Sequence, residues 1–250
     1  MSKFTDHPDM DRRAFVAKTT AAAAAVTVAP GVILHSVASA RASGEPVTDA
    51  VRWGMLIDAN KCADGCQACV DACNQENGLH GFDRPETDAR WIRKVKLRDT
   101  QTGKITNLPM LCQHCEHPPC VDVCPTGASF KRADGIVLVD RHTCIGCRYC
   151  MMACPYKARS FIHETLENQL TRAPRGKGCV ESCTLCVHRV DAGEGTTACA
   201  EACAKEGHRA ILFGDLKDPQ SEIAKQLKSY PSVQIRADLG LNTGVRYSNI

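Results

Sequence analysis

Cys144-Ile145-Gly146-Cys147-Arg148-Tyr149-Cys150-Met151-Met152-Ala153-Cys154-Pro155 decides how this chain is read. The spacing C-x2-C-x2-C-x3-C-P brings three thiols close together and a fourth about one helical turn later. Such a run wraps one corner of a [4Fe–4S] cubane: the glycine lets the loop pass near the cluster, and backbone N–H groups turn toward its sulfurs. The fourth cysteine leads away and, in two-cluster proteins, reaches the neighbouring cluster. Structural zinc prefers two separated cysteine pairs and fits this run poorly.

Three further cysteine groups accompany it. Cys112, Cys115, Cys120 and Cys124 repeat the pattern with a longer central loop, Glu116-His117-Pro118-Pro119, and Pro125 follows. His114 and His117 stand among these thiols; with four thiolates at hand, both are expected to support the site or face solvent. Cys62, Cys66, Cys69 and Cys73 form a group with one extra residue in the first gap, Ala63-Asp64-Gly65. Cys183 and Cys186, then Cys199 and Cys203, form the most zinc-like group when taken alone. Beside three cluster-type motifs, cluster ligation is the expectation here as well. Cys179 is left over, either as an unligated thiol or acting with Cys183 and Cys186, whose combined spacing repeats that of the first group.

All 17 cysteines of the 250 residues fall between Cys62 and Cys203. An odd number cannot pair fully within one chain, and repeated C-x-x-C spacing suits ligation better than a disulfide framework. Aromatic residues make up only 5% of the chain, so inorganic clusters are expected to fill part of its centre. The formal net charge of +3 is too small for a nucleic-acid footprint, and no nucleic-acid partner is expected. Four thiolate-ligated clusters would add about −8. No G-x-G-x-x-G turn for a dinucleotide is present, nor any region large enough for a molybdopterin domain.

Asp11-Arg12-Arg13-Ala14-Phe15-Val16, an alanine-rich stretch from Thr19 to Leu34, and Ala38-Ser39-Ala40 read as a twin-arginine export signal over residues 1–40. Pro30-Gly31 and His35 interrupt the stretch before it could span a bilayer. That route carries folded proteins, so the cysteines would receive metal before reaching an oxidising, periplasmic compartment. No later stretch is long and apolar enough to cross a membrane, so the mature chain would attach through a partner.

Short strands are expected at Trp53 to Asp58, Val95 to Arg98, Ile105 to Leu108, Ser129 to Arg132, Ile136 to Asp140 and Ala210 to Gly214. Asp134-Gly135 is a hairpin turn signal. Asp218-Pro219 is expected to serve as N-cap and N1 of a helix bearing Ile223, Ala224 and Leu227 on one face.

From about Trp53 to Ser221 the chain resembles the four-cluster ferredoxin-type subunits of membrane-associated oxidoreductases, the group of polysulfide reductase, NrfC-like and formate dehydrogenase iron–sulfur subunits. The resemblance rests on Cys112-Gln113-His114-Cys115-Glu116-His117-Pro118-Pro119-Cys120, Cys144-Ile145-Gly146-Cys147-Arg148-Tyr149-Cys150, and Phe213-Gly214-Asp215-Leu216 with Asp218-Pro219. It implies an α+β fold of two nested bacterial-type ferredoxin-like units around four [4Fe–4S] clusters, over residues 41–220, with a C-terminal helix and tail over 221–250. It also implies cross-ligation: Cys62, Cys66 and Cys69 with Cys203; Cys183, Cys186 and Cys199 with Cys73; Cys112, Cys115 and Cys120 with Cys154; Cys144, Cys147 and Cys150 with Cys124. The implied activity is electron transfer rather than catalysis, serving dissimilatory sulfur metabolism. The implied partners are a quinol-reactive membrane subunit of the DsrP or NrfD type and a periplasmic multihaem cytochrome c. The other reading within the family is the iron–sulfur subunit of a molybdopterin polysulfide- or nitrite-type reductase.

Overall fold

The computed structural model describes residues 45–167 and 169–250; the expected export signal lies outside them. In chain order the elements are β1 (Trp53–Asp58), α1 (Ala68–Asn77), β2 (Arg93–Arg98), β3 (Ile105–Met110), α2 (Pro119–Asp122), β4 (Ser129–Lys131), β5 (Val137–Val139) and α3 (Tyr149–Ala153). They continue with β6 (Arg159–Phe161), β7 (Val180–Ser182), α4 (Val187–Asp191), α5 (Ala198–Lys205), β8 (Ile211–Asp215), α6 (Glu222–Ser229) and β9 (Val245–Ser248). The result is a mixed fold of small helices and strands in which no described helix could cross a membrane.

β1 is the centre of a three-stranded sheet, antiparallel to β8 and parallel to β9. Its sequence WGMLID is apolar through the middle because both faces are covered, and Met55 and Ile57 are fully buried. Trp53 stacks on Phe213 across the pair, with ring centroids 5.2 Å apart. The other strands form three two-stranded ribbons, β2–β3, β4–β5 and β6–β7. Each ribbon is too small to be stable alone, so the packing they lean on must come from elsewhere. Much of it is sulfur: cysteines from all four motifs line the two core clusters beside Trp91, Leu108, Ile136, Leu185 and Tyr247.

β1 runs over the residues expected, and the hairpin at Asp134-Gly135 turns as expected, with Gly135 at φ 87° and Arg132 N–H donating to Ile136 O at 2.8 Å. The helix start is a correction. Asp218 does not cap it but closes a turn, accepting from Gln220 N–H at 2.8 Å, and Ser221 caps α6 by accepting from Ala224 N–H at 3.2 Å. The aspartate side chain competes for nearby N–H groups more effectively in a turn than across a full helical turn. The C-terminal residues, read as a tail, return to add β9 alongside β1.

Candidate iron–sulfur centres

α1 carries Cys69 and Cys73, and α5 carries Cys199 and Cys203. Residues four apart lie on one helix face, about 6 Å apart along the axis. The two helices pack with Cys69 facing Cys203 and Cys73 facing Cys199, which requires them to run antiparallel. Two thiol pairs thus lie side by side, and each is completed by a loop. Cys62 and Cys66 join the first pair around one cavity, site I. Cys183 and Cys186 join the second around another, site II. The second half of the molecule repeats the pairing, with Cys120 on α2 and Cys150 on α3 and with Cys124 and Cys154 just beyond the ends of those helices. Cys120 faces Cys154, and Cys150 faces Cys124. Cys112 and Cys115 complete site III, and Cys144 and Cys147 complete site IV.

Each tetrad lines a separate hollow of its own. Among the described residues no three His, Cys, Asp or Glu side chains converge closely enough to hold a single metal ion. The thiols therefore stand around a volume rather than a point, as a cubane needs and a zinc ion does not.

A backbone feature shared by the four loops could be read only in part from sequence. The residue just before the second cysteine is left-handed in all of them: Gly65 (φ 73°), His114 (φ 44°), Gly146 (φ 69°) and Leu185 (φ 52°). Glycine takes this conformation freely, whereas His114 and Leu185 hold it against a steric cost of about 1–2 kcal/mol each. The fully buried Leu185 side chain and the His114 ring, whose Nδ1 accepts from Val137 N–H at 3.0 Å, tie both residues down. Burial pushes the His114 imidazole down to about 3, so it is neutral. His117 faces solvent. The extra residue in the first loop falls before Gly65 and leaves the shared turn unchanged.

The sulfurs are met by hydrogen-bond donors. Lys94 Nζ donates to Cys62 Sγ at 2.7 Å and Ala210 N–H to Cys203 Sγ at 3.2 Å. At site II, Asn77 Nδ2 lies 3.6 Å from Cys73 Sγ, Leu185 N–H 3.5 Å from Cys183 Sγ, and Thr197 Oγ1 3.3 Å from Cys199 Sγ. Arg159 Nη2 donates to Cys120 Sγ at 3.0 Å, and Ser129 N–H to Cys124 Sγ at 3.3 Å. Sequence reading missed these donors, because each lies away from its sulfur in the chain or carries no motif. Burial raises the Cys69 and Cys120 thiols to about 11 and those of Cys115 and Cys199 to about 12; neighbouring sulfurs add to the effect at Cys115. At half-exposed Cys124, hydrogen bonds from Ser129 and Thr126 outweigh burial and lower the thiol. Four thiols facing one another in a dry space are stable as thiolates only with compensating positive charge, which iron supplies.

The sites follow one another in a line. α1 and α5 join I to II, the segments through Cys120–Cys124 and Cys150–Cys154 join III to IV, and Ser182, next to Cys183, lies beside Cys112 and so brings II up to III. Every cysteine of II and III is buried, whereas Cys62, Cys66, Cys124 and Cys144 are half-buried and Cys147 is exposed. The line is insulated in the middle and open at both ends. Cys179 lines none of the four cavities. Its Sγ lies 3.3 Å from Arg141 O and beside Cys144, away from the loop of Cys183 and Cys186.

Models of the 4Fe–4S dicluster domain match residues 61–128 and 103–215. The chain is 42% identical to the Hdr-like menaquinol oxidoreductase iron–sulfur subunit 1 of Archaeoglobus fulgidus, covering 96% of this chain and 98% of that protein. It is 41% identical to a tetrathionate reductase subunit of Salmonella typhimurium, over 72% of this chain and 64% of that one, and 40% identical to NrfC of Escherichia coli, over 76% and 77%. With tetrads of thiols laid out in a line and this likeness along almost its whole length, the chain belongs to the family of ferredoxin-type 4Fe–4S subunits that carry electrons in oxidoreductase complexes without being catalytic themselves.

Proposed function

We propose that sites I to IV each hold one [4Fe–4S] cluster, ligated by Cys62, Cys66, Cys69 and Cys203; Cys73, Cys183, Cys186 and Cys199; Cys112, Cys115, Cys120 and Cys154; and Cys124, Cys144, Cys147 and Cys150. Two ferredoxin-like units are then nested, the one bearing III and IV inserted between the chain segments that form I and II. When bound, the clusters supply one-electron redox chemistry, with potentials set by charge, hydrogen bonds and solvent exposure. The residues keep II and III dry, hold neighbouring sites on shared chain segments, and leave I and IV near the surface for partners.

The chain is read as a periplasmic subunit, exported folded by the twin-arginine route. It would pass electrons between a quinol-reactive membrane subunit of the DsrP or NrfD type and a multihaem cytochrome c in dissimilatory sulfur metabolism. The lengthened first loop after Trp53–Asp58 resembles that of DsrO of the DsrMKJOP complex, and the menaquinol oxidoreductase relative supports a quinol-linked role. The observation that carries the reading is the line of four thiol tetrads with buried middle and open ends. Its test is chemical analysis and reductive EPR of the intact chain, with about sixteen irons and sixteen acid-labile sulfides expected. Stoichiometric zinc without absorption near about 400 nm would sink it. The likeness to the tetrathionate reductase protein favours a second reading, the electron-transfer partner of a molybdopterin reductase. Co-purification from native membranes separates the two: a multihaem cytochrome supports the first, a molybdopterin protein the second.

A further inference from the structure

Two arginines in this protein are equally buried, and their surroundings differ. Arg175, 6% exposed, is held by Glu181 through two hydrogen bonds of 2.6 and 2.9 Å, so its charge is matched by a carboxylate. Arg159 is also 6% exposed, and among the described residues no carboxylate lies within ion-pairing distance of it. Its Nη2 donates to Cys120 Sγ at 3.0 Å and to Ser129 Oγ at 2.8 Å. Ser129 in turn gives its N–H to Cys124 Sγ at 3.3 Å, so one guanidinium touches site III directly and reaches site IV through a single residue. Its charge also faces Cys112 of site III and Cys150 of site IV. The remaining donors, Nε and Nη1, are buried with no partner in the protein.

A guanidinium stays protonated at any working pH, so burying it without a counter-anion is strongly unfavourable, as is leaving its N–H groups unpaired. Both costs are removed if the space beside it carries negative charge and sulfur acceptors. Thiolate-ligated clusters at III and IV provide both. We propose that Arg159 is the counter-cation shared by sites III and IV, donating its unpartnered Nε and Nη1 hydrogens to sulfur there and making both sites easier to reduce than they would be without it. The inference rests on the reading that the tetrads hold clusters. Arg159 is a positioning and charge-setting residue: it bonds no iron, and each electron that arrives adds negative charge beside its fixed positive one.

The test is an EPR-monitored redox titration of the iron-loaded full chain, comparing the wild type with Arg159→Gln and Arg159→Lys, with iron counted in each. In Arg159→Gln, two of the four clusters should become at least tenfold harder to reduce at a fixed potential, a fall of about 59 mV in each midpoint for a one-electron couple. The other two should not move. Arg159→Lys, which keeps the charge but not the fork of donors, should shift the same two by less. Four unchanged midpoints in Arg159→Gln with full iron would overturn the proposal. If that variant loses iron, wild-type protein labelled with 15N in its arginine side chains decides: pulsed EPR should detect guanidinium nitrogen coupled to a reduced cluster, and its absence overturns the proposal. Wild-type chain that binds no iron–sulfur cluster fails the underlying reading as well, and the iron count reveals that separately.

Discussion

Sites I and IV, the two open ends of the line, share the loop with a left-handed residue before its second cysteine and differ in almost everything around it. Site I is held by charge. Lys94 donates to Cys62, and Lys96 pairs with Asp64 at 2.8 Å on the loop between Cys62 and Cys66. Site IV exposes more carbon, with Ile145, Met152 and Tyr149 67%, 67% and 54% exposed around an exposed Cys147, although Arg148 also lines it. The same arrangement of thiols can thus be placed in two electrostatic settings by side chains outside the tetrads, so that the potential of a cluster at each end would be set independently of cluster type.

The sharpest break in that comparison is Gly146→Ala. A β-carbon there would collide with the Gly178 carbonyl and force a non-glycine residue into a left-handed conformation. The expected outcome is loss of about four irons, with the EPR signals of the other clusters kept, since site I has open space around its own Gly65. Iron analysis with EPR checks it, and a variant that keeps all its iron would mean the close approach at Gly146 is dispensable.

Lys94→Gln should act on site I alone. Removing the cation beside Cys62 makes one cluster harder to reduce, by less than about tenfold because the lysine is only part-buried and water screens it. Raising the salt concentration should shrink the difference between variant and wild type, whereas the effect at a buried arginine should resist salt. A shift seen at a second cluster would show that Lys94 acts beyond the sulfur it touches.

Thr197→Val probes the insulated middle. Thr197 caps α5 by accepting from Ala200 N–H at 3.4 Å and lies 3.3 Å from Cys199 Sγ. Its replacement should cost about 1 kcal/mol in chemical denaturation of the loaded chain. The midpoints of the two end sites should stay fixed, and movement of either would show that the middle is not insulated from them. The smallest effect belongs to Cys179→Ser. The hydroxyl can still donate to Arg141 O, and Cys179 lines none of the tetrads, so iron content and all four spectra should be unchanged. Loss of the site IV signal would make Cys179 part of that site.

Much of the fold and the four cysteine motifs were legible because their determinants are local, whereas which motifs share a tetrad could not be read from spacing. A cysteine four residues after another on a helix announces a shared face, and an Asp-Gly between apolar runs announces a hairpin. What escaped was carried by distance along the chain. β6 and β7 pair across a long excursion, and β9 is recruited from the C terminus by β1. Arg159 and Lys94 read as ordinary basic residues until folding sets them against sulfurs at Cys120 and Cys62, 39 and 32 residues away. The left-handed turns at His114 and Leu185 were hidden for a different reason. Only glycine announces that conformation, and here packing imposes it on residues that would otherwise avoid it.

Drawing the thiols of each tetrad from distant segments also imposes a timetable on the growing chain. Sites III and IV are complete once Cys154 has been made, since all eight of their cysteines lie between Cys112 and Cys154. Site I begins first, at Cys62, yet cannot close until Cys203 has emerged. At ordinary rates of synthesis that is a wait of about 7 to 28 s. The earliest thiols are therefore the last to be enclosed, and the chain needs a reducing surrounding until its far end is finished.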